Sequence, residues 1–369
     1  VNGDDQRFEQ ARAAFLAGLA SQQAGELSQA EAHYLHALQL LPGRPSTLVN
    51  LAATQLQLGK PQQALVHADA ALAAEPGSAD ALLHRATALA ELGRPMHALP
   101  AFDSLLQLRP DHAGAWTARG NLLRELQRLD ESAQAFGRAL ALGGDPQLNS
   151  YYLAAVQGGQ GAPGASPASY VQGLFDHYAA DFDTHLVQAL HYRGHERLVQ
   201  LLADTTGRAH GTAIDLGCGT GLCGPLLRPL ASRLVGVDLS AGMLQQARAR
   251  SVYDRLEQTD VVDFLRSGGE QPALLLAADV FIYIGDLQPL FAATSAAMPQ
   301  GVLCFSVEEL ADPSRDFALQ PSLRYAQSRR YLQQLAAQHG FTVLAMQPTD
   351  VRQDQGAGVP GLLAVLGRG

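Results

Sequence analysis

Lysine is almost missing from this chain. Lys60 is the only one, so arginine supplies 25 of the 26 basic residues. Together with abundant alanine, leucine and glycine, this suggests the codon bias of a high-GC bacterial genome, an inference that carries no chemistry. Cysteine is scarce as well. Cys218, Cys223 and Cys304 are odd in number and lack metal-ligand spacing, so neither a disulfide framework nor a metal site is expected. A reducing, cytoplasmic setting is the matching expectation. No run of 18 apolar residues occurs, and the first dozen residues hold Asp4, Asp5 and Glu9 rather than an apolar signal core. Membrane insertion and secretion are not expected. Positive charge is short too: the net formal charge is −9, which argues against a nucleic-acid partner. With 47% hydrophobic residues in 369, the chain has enough apolar surface to fold, and its length suits two domains.

The most informative stretch runs Ala213-Ile-Asp215-Leu-Gly217-Cys218-Gly219-Thr-Gly221, followed by Leu234-Val-Gly-Val-Asp238-Leu239-Ser240. A short apolar strand leads into a glycine-rich turn, and a second apolar strand ends on a carboxylate. Alternate glycines let the backbone approach a ligand closely, and the helix that follows aims N–H groups at it. Asp238, 17 residues beyond Gly221, sits where a second strand would set a carboxylate against ribose hydroxyls. Gly219 to Gly224 also satisfies G-x-G-x-x-G, the dinucleotide fingerprint. Asp215 weighs against that reading, because a carboxylate repels pyrophosphate and favours the sulfonium and ammonium of S-adenosylmethionine.

The run Asp215 to Gly221 resembles motif I of the class I S-adenosylmethionine-dependent methyltransferases. That resemblance implies a Rossmann-like α/β domain with a seven-stranded sheet and S-adenosyl-L-methionine as cofactor. Strands are expected near 212–216, 233–237, 256–259, 273–277, 301–306, 341–346 and 361–366. It further implies cofactor binding by Asp215, Gly217, Cys218, Gly219, Gly221, Asp238 and the Leu239 backbone. Met243 is expected on the adenine face, and Asp260 and Val261 at the adenine amino group and ring nitrogen. Ala277 to Asp286 would line the methyl-donor end, with Asp279 and Tyr283 touching substrate. Capping of the following helix is the competing explanation for Asp279.

Upstream, Tyr170 to Val187 resembles an F-D-x-Y-A-x-x-F-D-x-H-L leader of bacterial methyltransferases that carry tetratricopeptide repeats. The resemblance implies a lid of Phe175, Tyr178 and Phe182 over the methyl group, and places His185 and Arg193 near substrate or the methionine carboxylate. Arg324-Tyr325-Ala-Gln327-Ser328 resembles an R-Y-x-H-S element of the same group, but Gln327 stands where histidine is expected. A proton-transfer role there is in doubt. Methyl transfer needs alignment more than acid–base help. Where a base is required, His177, His185, Asp279, Tyr283 and Glu308 are the candidates.

The first 145 residues repeat with a period of 34: Ala30, Ala64, Ala98 and Ser132, then Tyr34, Ala68, Phe102 and Phe136. Turn glycines recur at Gly25, Gly59 and Gly93, and Gln127 breaks the series. Small residues at Gly18, Ala52, Ala86 and Gly120 mark close helix contacts. This pattern is similar to tetratricopeptide repeats, which implies an α-solenoid whose concave face recruits a protein partner or a carrier-bound substrate. The expected division is repeats over 1–145, a Gly/Pro-rich linker over 146–169 and the methyltransferase domain over 170–369. The alternatives are a small-molecule methyltransferase whose repeats serve only assembly, a non-catalytic cofactor-binding scaffold and a dinucleotide oxidoreductase. The acceptor atom and the oligomeric state are left open.

Overall fold

The computed structural model describes residues 3–178, 193–207, 211–354 and 357–369. By internal contacts the chain divides into two units, Val1–Gln157 and Gly158–Gly369.

In the first unit the 34-residue period becomes helix pairs: α1 (Gly3–Gln23) with α2 (Leu27–Leu40), α3 (Pro45–Gln57) with α4 (Pro61–Ala74), α5 (Ala79–Glu91) with α6 (Pro95–Leu108), and α7 (Ala113–Glu125) with α8 (Leu129–Ala141). Proline opens α3, α4 and α6, where its missing N–H costs nothing. The repeated alanines and aromatics form the interior: Ala30, Tyr34, Ala64, Ala68, Ala98, Phe102 and Phe136 are all buried. The small residues are there because a partner ring takes the space. A Cβ on Gly18 would lie 2.6 Å from the Tyr34 ring, and one on Gly120 2.6 Å from that of Phe136.

Residues 146–169, expected as a linker bracketing a last half-repeat or capping helix, divide between the units after Gln157. Asp145 caps a ninth helix, α9 (Pro146–Val156), whose Tyr151, Tyr152 and Ala155 are buried against the last repeat. Its apolar side chains would otherwise face water, so the helix closes the stack. Beyond Gly158 the chain belongs to the second unit.

The second unit begins with α10 (Ala168–Tyr178) and α11 (Gly194–Thr206), then alternates: β1 (Thr212–Leu216), α12 (Gly224–Leu227), β2 (Arg233–Asp238), α13 (Ala241–Ala249), β3 (Arg255–Gln258), α14 (Val261–Ser267), β4 (Leu274–Ala277), α15 (Gln288–Ala297) and β5 (Gly301–Glu309). After β6 (Phe317–Leu319), β7 (Tyr325–Gln327) and α16 (Arg329–Gln338) come two long strands, β8 (Thr342–Asp354) and β9 (Ala357–Arg368). The sheet runs β3-β2-β1-β4-β5-β9-β8, parallel as far as β5, with β9 antiparallel to both its neighbours. The chain steps outward from β1 to β3 and then returns to β4 on the other side of β1. A crevice opens where that order reverses, at the carboxyl ends of the strands.

The sheet holds nine strands among the described residues, rather than seven. The excess is the β6–β7 hairpin from the insertion before α16, and β7 extends the β4 edge of β5 at Glu308 and Glu309. Strands β8 and β9 are also about twice the expected length, because they pair with each other well past the sheet they join.

One irregularity of the repeats is testable. Gln127 occupies the turn held by glycine in the other three repeats, and it adopts the same left-handed backbone, φ 59° beside 77°, 68° and 65° at Gly25, Gly59 and Gly93. An L-residue loses about 1–2 kcal/mol in that region, partly offset by the extra entropy glycine gives up. Gln127→Gly is expected to raise stability by about 0.5–1 kcal/mol in chemical denaturation. A destabilised variant would contradict the turn assignment.

Candidate functional site

The glycine run forms a loop between β1 and α12 at the crevice. Gly217 and Gly219 take φ of 64° and 54°, values that admit glycine with least strain. The loop is drawn in by Asp238 at the end of β2. Its Oδ2 accepts from the Gly219 N–H at 2.8 Å and its Oδ1 from the Ser240 N–H at 2.8 Å. Burial pushes the Asp238 carboxyl above the usual carboxylate range, against the pull of these backbone donors. Ser240 then caps α13 through Met243 N–H, and its hydroxyl donates to Asp176 of α10. Helix α10 is thereby tied to the start of α13.

These elements enclose a cavity of about 490 Å³. Gly217, Cys218, Gly219, Asp238, Leu239 and Met243 line it from the first two strand ends, Asp260 and Val261 from the third, and Asp279 and Tyr283 from the fourth. A Cβ built on Gly219 meets no atom within 4 Å, so the loop leaves room for a ligand beside its backbone. The Cys218 thiol is pushed well up by burial and by the charges of Asp215 and Asp238, so it stays protonated.

Three of the expected binding residues support the site from outside the cavity. Asp215 does not line it, because strand alternation turns its side chain to the face of β1 shared with Ala213, where the Tyr253 hydroxyl donates to it at 2.6 Å. Gly221 is held against Tyr253, Arg250 and Ala247. Ala277 is fully buried in the sheet core, and its neighbour Ala278 lines the cavity instead. The helix after the loop is a single turn of four residues, and the loop amides of Cys218, Gly219 and Gly221 are bonded to Val237, Asp238 and Cys218.

Asp260 is used by the backbone. Its Oδ1 accepts from Val262 and Asp263 N–H groups, capping α14, which leaves Oδ2 to offer a ligand. Asp279 does not cap a helix. It has a left-handed backbone, φ 58°, and is gripped by Ser306 of β5: the Asp279 N–H donates to Ser306 Oγ at 2.8 Å, and that hydroxyl donates to Asp279 Oδ1 at 2.9 Å. A non-glycine residue held in this conformation over a cavity is strain of the kind found at functional positions.

Tyr283 ends a short 3₁₀ turn, its ring edge-on to Phe175 of α10 at 5.6 Å, and Phe175 also lines the cavity. Burial pushes the Tyr283 phenol up, with Arg324 only partly opposing it. Tyr178 falls at the end of α10, where its side chain, like that of His177, lies outside the described residues; so do Phe182 and His185 altogether. Arg193 precedes α11 and is spent on Glu196 at 2.7 Å. Gln327 is wholly buried, and its Nε2 donates to the carbonyls of Phe281 and Ile284, so it holds the turn that carries Tyr283.

Sequence reasoning gave no site role to His195, Arg324, Arg352, Ser306 or Tyr253. His195, Arg324 and Arg352 line the cavity. Arg352 lies in the part of β8 beyond the strand expected there. Ser306 could have been found only by pairing β4 with β5.

The buried Asp215 makes stability depend on pH. Burial, with Asp238 nearby, raises its carboxyl from 3.8 to about 7, although the Tyr253 hydrogen bond opposes the rise. Between those values the folded chain keeps a proton that the unfolded chain has lost. The resulting stability is complete below 3.8 and is lost as pH rises through about 7. In Asp215→Asn this slope is expected to disappear, so wild-type melting temperature should fall relative to the variant between pH 4 and pH 7.5. Parallel profiles in differential scanning calorimetry would refute the assignment.

A tetratricopeptide repeat family model matches residues 49–95 and 85–149, and a methyltransferase domain model matches residues 187–346. Trans-aconitate 2-methyltransferase of Paracidovorax citrulli is 33% identical over 142 residues, which cover 38% of this chain and 50% of that protein. Methyltransferase-like protein 27 of Homo sapiens is 41% identical over 86 residues, covering 22% and 35%. The chain thus spans half or less of the length of these relatives. The structure of the DhpI–SAH complex aligns with 55% of this chain and 97% of its own, at 20% identity and a TM-score of 0.41.

Proposed function

We propose that this chain, which carries tetratricopeptide repeats and a methyltransferase domain, is an S-adenosylmethionine-dependent methyltransferase whose cofactor lies in the cavity at the β1, β2 and β3 ends. The observation that carries the reading is the pair of bonds from Asp238 to the glycine loop and to the start of α13, beside a cavity that Gly219 leaves open. Each Asp238 oxygen keeps a further lone pair for a ribose hydroxyl. Asp260 Oδ2 and the Val261 N–H are the partners for adenine, with Met243 packed on the ring. Two carboxylates, Asp238 and Asp260, line the cavity at the β2 and β3 ends, a setting that suits a cationic cofactor and repels a pyrophosphate there.

The cofactor supplies an already activated methyl group, and the residues around it supply position. Phe175 gives an aromatic wall favourable to a cation and closes that side to water. Tyr283, whose phenol stays protonated at neutral pH, acts as a hydrogen-bonding group and not as a base. Asp279 is the residue that accepts a proton from the methyl acceptor, its Oδ1 fixed by Ser306. The repeats recruit a protein partner or a carrier-bound substrate, which is the general use of a stack of helix pairs.

Calorimetric titration with S-adenosylhomocysteine, alongside the nicotinamide dinucleotides, tests the cofactor. Binding of the first alone is expected. Asp238→Ala should weaken it by at least tenfold, since one charge-assisted hydrogen bond contributes about 1.5–3 kcal/mol. A melting curve of the same variant separates this from unfolding of the loop. Unchanged affinity, or dinucleotide binding, would overturn the assignment. Asp279→Asn should leave S-adenosylhomocysteine affinity in place and slow transfer of labelled methyl to extract acceptors by about a hundredfold or more. An unaltered rate would remove Asp279 from the proton-transfer role.

A further inference from the structure

Two arginines stand in the cavity wall, Arg324 just before β7 and Arg352 within β8. Their donors are spent differently. Arg352 gives Nε and Nη2 to Glu308 Oε1 at 3.0 and 2.9 Å, and both side chains are largely buried. Arg324 shares a hydrogen bond with the Tyr283 phenol, and its buried Nε has no partner among the described residues. A guanidinium carries five donors in a rigid fork. One phenol leaves most of that fork unused.

Burying a guanidinium nitrogen without an acceptor is costly. The bonds that pin β7 belong to its neighbours: Tyr325 donates to the Pro163 carbonyl at 2.6 Å, and Gln327 holds the 281–284 turn. The unused donors are therefore available to an anion that enters the cavity. Its charge is limited by the surroundings, because Asp279 and Glu308 both act on Arg324 through space and would repel a dianion more than a monoanion. Much of the remaining wall is apolar, including Val171, Leu174, Val280, Ile282 and Ile284.

We propose that Arg324 anchors a carboxylate carried by the methyl acceptor, so that the acceptors are monoanionic carboxylic acids with an apolar body. This rests on reading the cavity as a methyl-transfer site. The carboxylate is the anchor and not the nucleophile: hydrogen bonds from a guanidinium draw electron density from its oxygens, so the accepting atom lies elsewhere on the same molecule. Arg352, committed to Glu308, holds that wall in place.

The test titrates the full chain, with and without S-adenosylhomocysteine, against 3-phenylpropionate and hexanoate, each beside its neutral amide, and against phenyl phosphate. Wild type should bind a carboxylate at least tenfold more tightly than the matching amide. Arg324→Gln should bring the two within twofold. Arg324→Lys, which keeps the charge and loses the fork, should retain part of the preference and decides the matter if the glutamine variant fails to fold. S-adenosylhomocysteine affinity should stay within twofold in both variants. The proposal is overturned if wild type shows no carboxylate preference in either pair, if the preference survives in a folded Arg324→Gln, or if phenyl phosphate binds more tightly than both carboxylates. A tenfold loss of S-adenosylhomocysteine affinity in Arg324→Gln would also overturn it, by assigning the arginine to the cofactor. Failure of wild type to bind S-adenosylhomocysteine would defeat the methyl-transfer reading instead, and the comparison made without it would still decide the anion site.

Discussion

The site depends on one carboxylate that organises two backbone segments. Asp238 ends β2 and accepts from Gly219 on one side and Ser240 on the other, so the glycine loop and the start of α13 are positioned by the same group. Both bonds are partly buried, and buried donors left without acceptors cost about 1–3 kcal/mol each. The loop shape, the cavity edge and the seating of α10 through Asp176 all follow from that side chain. Its own carboxyl is pushed upward by burial, against the pull of the backbone donors.

A second layer of the site is built by side chains distant in sequence. Ser306 comes from β5 to hold Asp279 after β4, and Gln327 reaches back from β7 to hold the turn bearing Tyr283. Each bridges a strand end to the loop of its neighbour. Such ties let a short irregular segment keep a strained conformation without a helix behind it.

Much of the first layer was legible because it is local. The glycine run, Asp238 at a strand end and Asp260 before a helix are patterns within a few residues of chain. The repeats were legible for another reason, since a fixed period survives individual departures: Gln127 breaks the glycine series and still keeps its backbone angle. The surroundings of Asp215 were not legible, because a motif position does not reveal which side of a strand it faces. Alternation turns it beneath the sheet end, toward Tyr253, and Tyr253 lies 38 residues away. Ser306 and Arg352 escaped because their importance comes from strand order, and Arg324 was singled out with its motif but without a role of its own. The insertion that became β6 and β7, and the extension of β8, carry side chains to the crevice by long-range pairing that no window of sequence displays.

The seam between the units carries a consequence for how such a chain is assembled over evolutionary time. Residues 158–167 look like spacer, yet they work for the second unit: Ser166 N–H donates to the Tyr283 carbonyl, Ala165 bridges Ile284, and the Pro163 carbonyl receives Tyr325. Exchange of the repeats for another module is therefore tolerated only at a narrow joint near Gln157. A recombination point ten residues later would carry away part of the wall on which Tyr283 stands, and the transplanted unit would arrive with that end of its cavity already loosened.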